Sequence, residues 1–295
     1  MNALAFLKRG LRLGTWPLLQ RYVVAPKVSG LPPIPVRDSD VFCVHTLLNR
    51  KDIIMYEWML RSLLMHSTAN FSVKVHEDGS FTDSDEKYLR RRFPGIEIIR
   101  KKDSDRKMFE ILKDYPAVTR YRTKHFWAIK ALDVYLLGTQ KYMVLIDADI
   151  LFFSDPVELF SDDNTNSWME DVAYMLGIPS NIVEEKLGVG PLKHMNAGLG
   201  RAIRSSFSLP AAERFLEIQE NPVNDMVFHA LFSTKHSSLV LLDSEKYMLQ
   251  FKLQTHNVLA KHYVNSIRYW FWEEGVPRVA AQLKLPMHRF LKERL

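Results

Sequence analysis

Residues 142–155 read YMVLIDADILFFSD, an apolar, partly β-branched run that carries two carboxylates, Asp147 and Asp149, one residue apart at its middle. Unpaired buried charge is costly enough that a core strand normally excludes it. Either the strand reaches a rim at these acids or something positive meets them there. Read as one extended strand over 141–153, the stretch projects residues i and i+2 to the same side. Asp147 and Asp149 then present oxygens to a single cation, and hard oxygen ligands suit Mg²⁺ or Mn²⁺.

The flanking sequence sets this strand in a frame. VFCVHTLL (41–48) reads as a buried strand, and residues 52–67 place Ile53, Met55, Tyr56, Met59, Leu60, Leu63 and Leu64 at helical spacing. FSVKVHED (71–78) is a second strand. TDSDEKYLRRRF (82–93) is a helix capped at Thr82 or Ser84, with acids in its first turn and arginines in its last. Pro94-Gly95 stops that helix before a third strand, IEIIRK (96–101), and a helical stretch runs over about 119–137. The run at 141–153 is the most apolar and therefore central. Strands alternating with helices predict an α/β fold, a mostly parallel sheet covered by helices on both faces. Such sheets bind ligands beyond the carboxyl ends of their strands, which is where the two acids fall.

Composition narrows the classes. The 295 residues, 47% of them hydrophobic, suffice for one large α/β domain or two small ones. No 18 consecutive residues are apolar, which argues against a transmembrane helix. The single cysteine, Cys43, forms no internal disulfide, so a reducing, cytoplasmic setting is the expectation. The net charge is +6, and six bases (Lys8, Arg9, Arg12, Arg21, Lys27 and Arg37) precede the first acid, Asp38. The other 34 bases match the 34 acids, which argues against a nucleic-acid-binding face on the main domain. Residues 1–37 form a basic, apolar arm ending in the Pro-rich LPPIPVRDSD (31–40); the main domain is expected over 38–275, with a tail over 276–295. Three readings of the arm stand open: residues 1–30 lie on an anionic membrane surface at its inner face, or pack on the domain as a helix with the bases outward, or act as a transit peptide.

By itself D-A-D is a weak signal. Acids capping amides at a strand end would look alike, and phosphatases of the haloacid dehalogenase type use D-x-D-G-[TV], whereas Ile150-Leu151-Phe152 follow here. The neighbours say more. LIDADILFFSDPVELF resembles glycosyltransferases of the GT-A fold. HMNAGLG (194–200) is similar to the N-x-G element of retaining members such as the glycogenin family. AKHYVNSIRYWF (260–271) is similar to that family's H-x-x-G-x-x-K-P-W, with His262, Arg268 and Trp270 at matching positions. Asn265 stands for the Gly, Arg268 for the Lys and Tyr269 for the Pro.

The resemblance covers roughly residues 41–275. It implies a GT-A fold and transfer of a sugar from a nucleotide diphosphate sugar, a UDP-sugar first, to a hydroxyl of a glycan or lipid-linked glycan, with retention. Asp147, Asp149 and His262 would hold the divalent metal, a neutral imidazole being a sound third ligand beside two carboxylates. Asp147 would also support the ribose, and Arg268 would hold the diphosphate. Asn196 and Gly198 would line the donor-sugar pocket. Asp225 would meet the sugar near the reacting carbon or, in an inverting enzyme, act as general base. His45, Thr46 and Asn49 would wall the nucleotide, Glu77 and Asp78 would accept hydrogen bonds from base or ribose, and Lys124 and Lys130 would reach the phosphates. Nucleotidyl transfer or phosphohydrolysis by the same acids is the competing activity, although HTLLNRKD after the first strand lacks the expected glycines. A non-catalytic nucleotide-sugar or carbohydrate binder is the third reading.

Overall fold

The structure, a computed structural model, describes residues 15–171, 181, 185, 193–218, 239–249 and 257–283. Its centre is a seven-stranded sheet in the order β3 (Glu97–Ile99), β2 (Ser72–Glu77), β1 (Phe42–Leu48), β4 (Tyr142–Ile146), β7 (Met195–Ile203), β6 (Asn166–Glu170) and β8 (Leu239–Leu242). The strands from β3 through β4 run parallel, β7 is antiparallel to both its neighbours, and β8 is parallel to β6. A three-stranded sheet sets β10 (Ala260–His262) between β5 (Ile150–Phe152) and β9 (Tyr247–Met248).

Helices cover both faces of the larger sheet, as the pattern predicts. On one face α1 (Ile53–His66) and α2 (Asp83–Arg92) pack Tyr56, Met59, Leu60, Leu63 and Leu89 against Val44, Val73, Val75 and Val144. On the other, α3 (Lys101–Ile111), α4 (Pro116–Lys124), the helical turns Ile129–Leu137 and α5 (Leu209–Ile218) pack on Met143 and Leu145. α2 begins at Thr82 in a capping box: Asp85 N–H donates to Thr82 Oγ1 and Thr82 N–H to Asp85 Oδ2 at 2.7 Å.

Two expected elements are broken, and α3 was not expected at all. The run over 141–153 is not one strand. β4 ends at Ile146, the chain turns through Asp147–Ile150 with Ile150 N–H donating to Asp147 O at 3.2 Å, and β5 enters the other sheet. The helical stretch over 119–137 is likewise broken. α4 stops at Lys124, where His125 turns extended (φ −120°, ψ 121°), and a wide turn resumes at Ile129–Asp133.

Of the amino-terminal arm, residues 15–30 pack onto the body. Ala25 and Val28 are fully buried in a cluster with Trp58, Phe271, Trp272, Val276 and Val279. Three arm carbonyls accept side-chain donors: Ala25 O from Trp58 Nε1 at 3.0 Å, Val28 O from the Arg92 guanidinium at 2.8 Å and Pro32 O from that of Arg61 at 3.0 Å. Leu19, Tyr22 and Val23, at i, i+3 and i+4, stay exposed. Among the described residues no helix is long and apolar enough to cross a membrane.

Candidate metal centre

Three chain segments meet at the carboxyl end of β4. The turn after β4 delivers Asp147 and Asp149, β7 supplies Asn196 and Gly198, and β10 ends on His262. The acids converge through a tight turn rather than through the pleat of an extended strand. Register does the rest. His262 pairs with Ile150, and Tyr263 N–H donates to Asp149 O at 2.9 Å, which fixes the imidazole beside the turn. Lys261, one residue earlier, faces the opposite way. Its ammonium is buried against Glu274 and lies 4.8 Å from the rings of Tyr263 and Trp270.

The four carboxylate oxygens divide into two sets. Asp147 Oδ1 accepts from Lys130 Nζ at 2.7 Å, and Asp149 Oδ2 accepts from Arg268 Nε at 2.9 Å and its NH2 at 2.5 Å. The other two oxygens face His262 Nε2, Asp149 Oδ1 at 3.1 Å and Asp147 Oδ2 at 3.8 Å. One ligand atom from each of Asp147, Asp149 and His262 lies within 4.8 Å of the others. Burial works to raise the Asp149 carboxyl, but His262 and Arg268 together hold it below the usual range. Burial raises Asp147, against the pull of Lys130 and His262.

This donor set fits a divalent cation. Asn196 Oδ1 accepts the Gly198 N–H at 2.9 Å, so it is the amide oxygen, and His262 Nδ1, 3.0 Å from it, is the donor of that pair. With a metal bound the ring would be neutral, its Nε2 lone pair available to the cation alongside the two carboxylate oxygens. Two hard oxygens and one imidazole nitrogen suit Mn²⁺ or Mg²⁺.

The remaining candidates are placed as follows. Lys130 shares its helical turn with Asp133, which anchors that turn by accepting from Arg122 Nε at 2.7 Å and its Nη2 at 2.8 Å, and from Ser104 Oγ. Lys124 is exposed at the end of α4. His45 and Thr46 lie inside β1, both buried; His45 Nδ1 is 3.0 Å from His76 Nε2, and Thr46 Oγ1 donates to Ile146 O at 2.8 Å. Asn49 is half-buried, donating to Asp52 Oδ2 at 2.7 Å. Asp78 accepts from Ser80 N–H at 3.0 Å. Glu77 is buried and committed to the N–H groups of Gly79 (2.7 Å) and Lys101 (2.6 Å), stitching the turn after β2 to the start of α3. Asp225 lies outside the described residues. Asp171 went unread in the sequence; it is buried, and its Oδ2 accepts from Asn196 Nδ2 at 3.4 Å. It follows β6 directly, and nothing in the local composition marks it.

No family model matches the chain, and no curated protein sequence matches it. Its likeness is to solved folds. The galactosyltransferase LgtC, solved with donor and acceptor sugar analogues, superposes with TM-score 0.55 at 11% identity over 81% of this chain and 95% of that one. The bifunctional glycosyltransferase WbbM gives 0.57 at 13% identity over 90% of this chain, which spans only 53% of WbbM. Mouse xyloside xylosyltransferase 1 gives 0.52 at 10% identity over 78% of this chain and 98% of that one. The chain has the GT-A glycosyltransferase fold, as its D-A-D, N-A-G and H-x-x-x-x-x-R stretches lead one to expect.

Proposed function

We propose that this protein is a divalent-metal-dependent glycosyltransferase. It moves a sugar from a nucleotide diphosphate sugar, a UDP-sugar first, to a hydroxyl of a glycan or lipid-linked glycan, with retention at the anomeric carbon. The observation that carries the reading is the meeting of Asp147, Asp149 and His262, contributed by segments more than a hundred residues apart, on a GT-A scaffold. LgtC was solved with donor and acceptor sugar analogues, which supports the same two ligand classes here.

Asp147, Asp149 and His262 would hold Mn²⁺ or Mg²⁺, whose chemistry is to neutralise the charge that grows on a diphosphate leaving group. Arg268 keeps its Nε and NH2 on Asp149, and its side chain is about half exposed, so the guanidinium can serve a diphosphate without leaving the carboxylate. Lys130 holds Asp147 at 2.7 Å and adds a second cation to the pair. The bond that breaks joins the anomeric carbon to the diphosphate, the bond that forms joins it to the acceptor oxygen, and the acceptor proton leaves with the nucleotide diphosphate. Asp225 remains our candidate contact near the reacting carbon.

The arm adds a proposal about the acceptor. Exposed Leu19, Tyr22 and Val23 share one helical face in a segment whose only charges are basic, and Arg21 lies 5.7 Å from Trp272, four residues past Arg268. An anionic bilayer surface suits such a face, and would bring a lipid-linked acceptor to the site.

The test is incubation with UDP- and GDP-sugars plus Mn²⁺. Release of UDP or GDP that stops with EDTA supports transfer; release of pyrophosphate or free phosphate supports the competing activities; binding without turnover supports a carbohydrate binder.

A further inference from the structure

The N-A-G stretch on β7 packs into the metal centre itself. Asn196 and Gly198 are two apart on one strand and so face the same side. That side is filled by the imidazole of His262. Asn196 Oδ1 accepts from the Gly198 N–H at 2.9 Å and meets His262 Nδ1 at 3.0 Å, which uses both of its lone pairs. The nitrogen end of the same amide donates to the buried carboxylate of Asp171 at 3.4 Å. Asn196 is only 8% exposed and has no acceptor capacity left for a sugar hydroxyl.

Gly198 completes the seat by what it lacks. A Cβ there would lie 2.1 Å from His262 Cε1 and 2.5 Å from its Nδ1, inside the ring's own volume. The imidazole lies flush on the strand because the residue beneath it has no side chain. The Gly198 carbonyl also accepts the Asp147 N–H at 2.8 Å, so one residue holds both the first acid and the ring.

We infer that Asn196 and Gly198 are positioning residues that seat His262, and that Asp171 orients the Asn196 amide, so that Nδ1 carries the hydrogen and Nε2 faces Asp147 and Asp149. This deepens the metal-site reading of the preceding subsection and rests on it. Groups that hold the second nitrogen of a ligating histidine typically change metal affinity about 10- to 100-fold when removed.

The experiment measures Mn²⁺ affinity in the presence of UDP, by the loss of the free-ion spin-resonance signal, for wild type, N196A, G198A and the swap D171N/N196D. It also records the tautomer of His262 in metal-free, ¹⁵N-histidine-labelled protein at pH 8.5. Expected are a loss of about 10-fold or more in N196A and a recovery to within about threefold in the swap, which restores both hydrogen bonds. Expected too is an Nδ1–H signature in wild type that N196A loses, with UDP affinity in EDTA changed less than twofold. Should G198A fail to fold, N196A and the swap still decide. Mn²⁺ affinity unchanged in N196A, with UDP-sugar binding weakened relative to UDP, would assign the amide to the sugar and overturn the seat. A wild type that takes up no Mn²⁺ with either UDP or GDP removes the transferase reading instead. The tautomer then judges the seat by itself, and an Nε2–H ring in wild type overturns it.

Discussion

Asp149 is 3% exposed, yet its two oxygens meet nitrogens of both Arg268 and His262. Asp149→Asn keeps the shape and removes the charge those groups face. Transfer should fall about 10³-fold while the thermal midpoint stays within a few degrees, because Arg268 is half exposed and can turn to water. A collapse of the fold would mean the acid is there for structure alone. A second residue-scale outcome concerns the buried histidines of β1 and β2. Burial first, then nearby positive charge, pushes His76 down to about 3 and His45 well below its ordinary value, so both rings are neutral in the native protein. Unfolded histidine titrates near 6.5. Below that pH unfolding takes up protons the native state does not bind, so the stability these rings contribute is complete above about 6.5 and is lost as pH falls toward 3. The urea midpoint should therefore drop between pH 7 and 5, and drop less in His76→Gln. Cys43 is buried with its thiol pushed up to about 12, and should react with a disulfide reagent only on unfolding.

At the scale of elements, the best-read parts were those whose local chemistry and packing agree. Thr82 and the acids after it mark the start of α2, and β1 and β2 read as short unbroken strands because both are covered on each face. The break between β4 and β5 was not legible, since apolar residues continue on both sides of D-A-D; what ends the strand is a long-range event, the capture of both carboxylates by Lys130, Arg268 and His262. α3 was overlooked because its KKDSDRKMFEI turns only Ser104 and Met108 fully inward. The D-A-D acids were found from their spacing and His262 from the family resemblance of AKHYVNSIRYWF, whereas the link from Asp171 to Asn196 leaves no local trace. α1 and α2 share a buried ion cluster in which Glu57 accepts from Arg61 Nε at 3.1 Å and Arg92 Nε at 2.8 Å. Glu57→Gln leaves two buried guanidinium groups without a counter-charge and should cost about 3–5 kcal/mol in urea unfolding. A loss under 1 kcal/mol would mean that solvent reaches the cluster.

For the molecule as a whole, residues 15–30 are part of the core. Removing them strips acceptors from Trp58 and Arg92 and uncovers the cluster around Trp272. Two hydrogen bonds and the burial of Leu18 and Val28 come to roughly 5 kcal/mol. The midpoint should fall by about 10 °C or more, read by calorimetry on the chain with and without the segment. Replacing only the exposed Leu19, Tyr22 and Val23 with serine should leave that midpoint alone and, on the proposed membrane role, weaken sedimentation with anionic vesicles. The pairing of β10 with β5 has a last consequence, for insertions and deletions. Lys261 and His262 face opposite ways, so a single residue gained ahead of them sets the Lys261 ammonium beside the acids in place of the imidazole, and a single residue lost sets Tyr263 there. Length variation among descendants of this chain should therefore collect in its loops and spare those three positions, and a grafting experiment that ignores the count will deliver the wrong side chain to an otherwise intact scaffold.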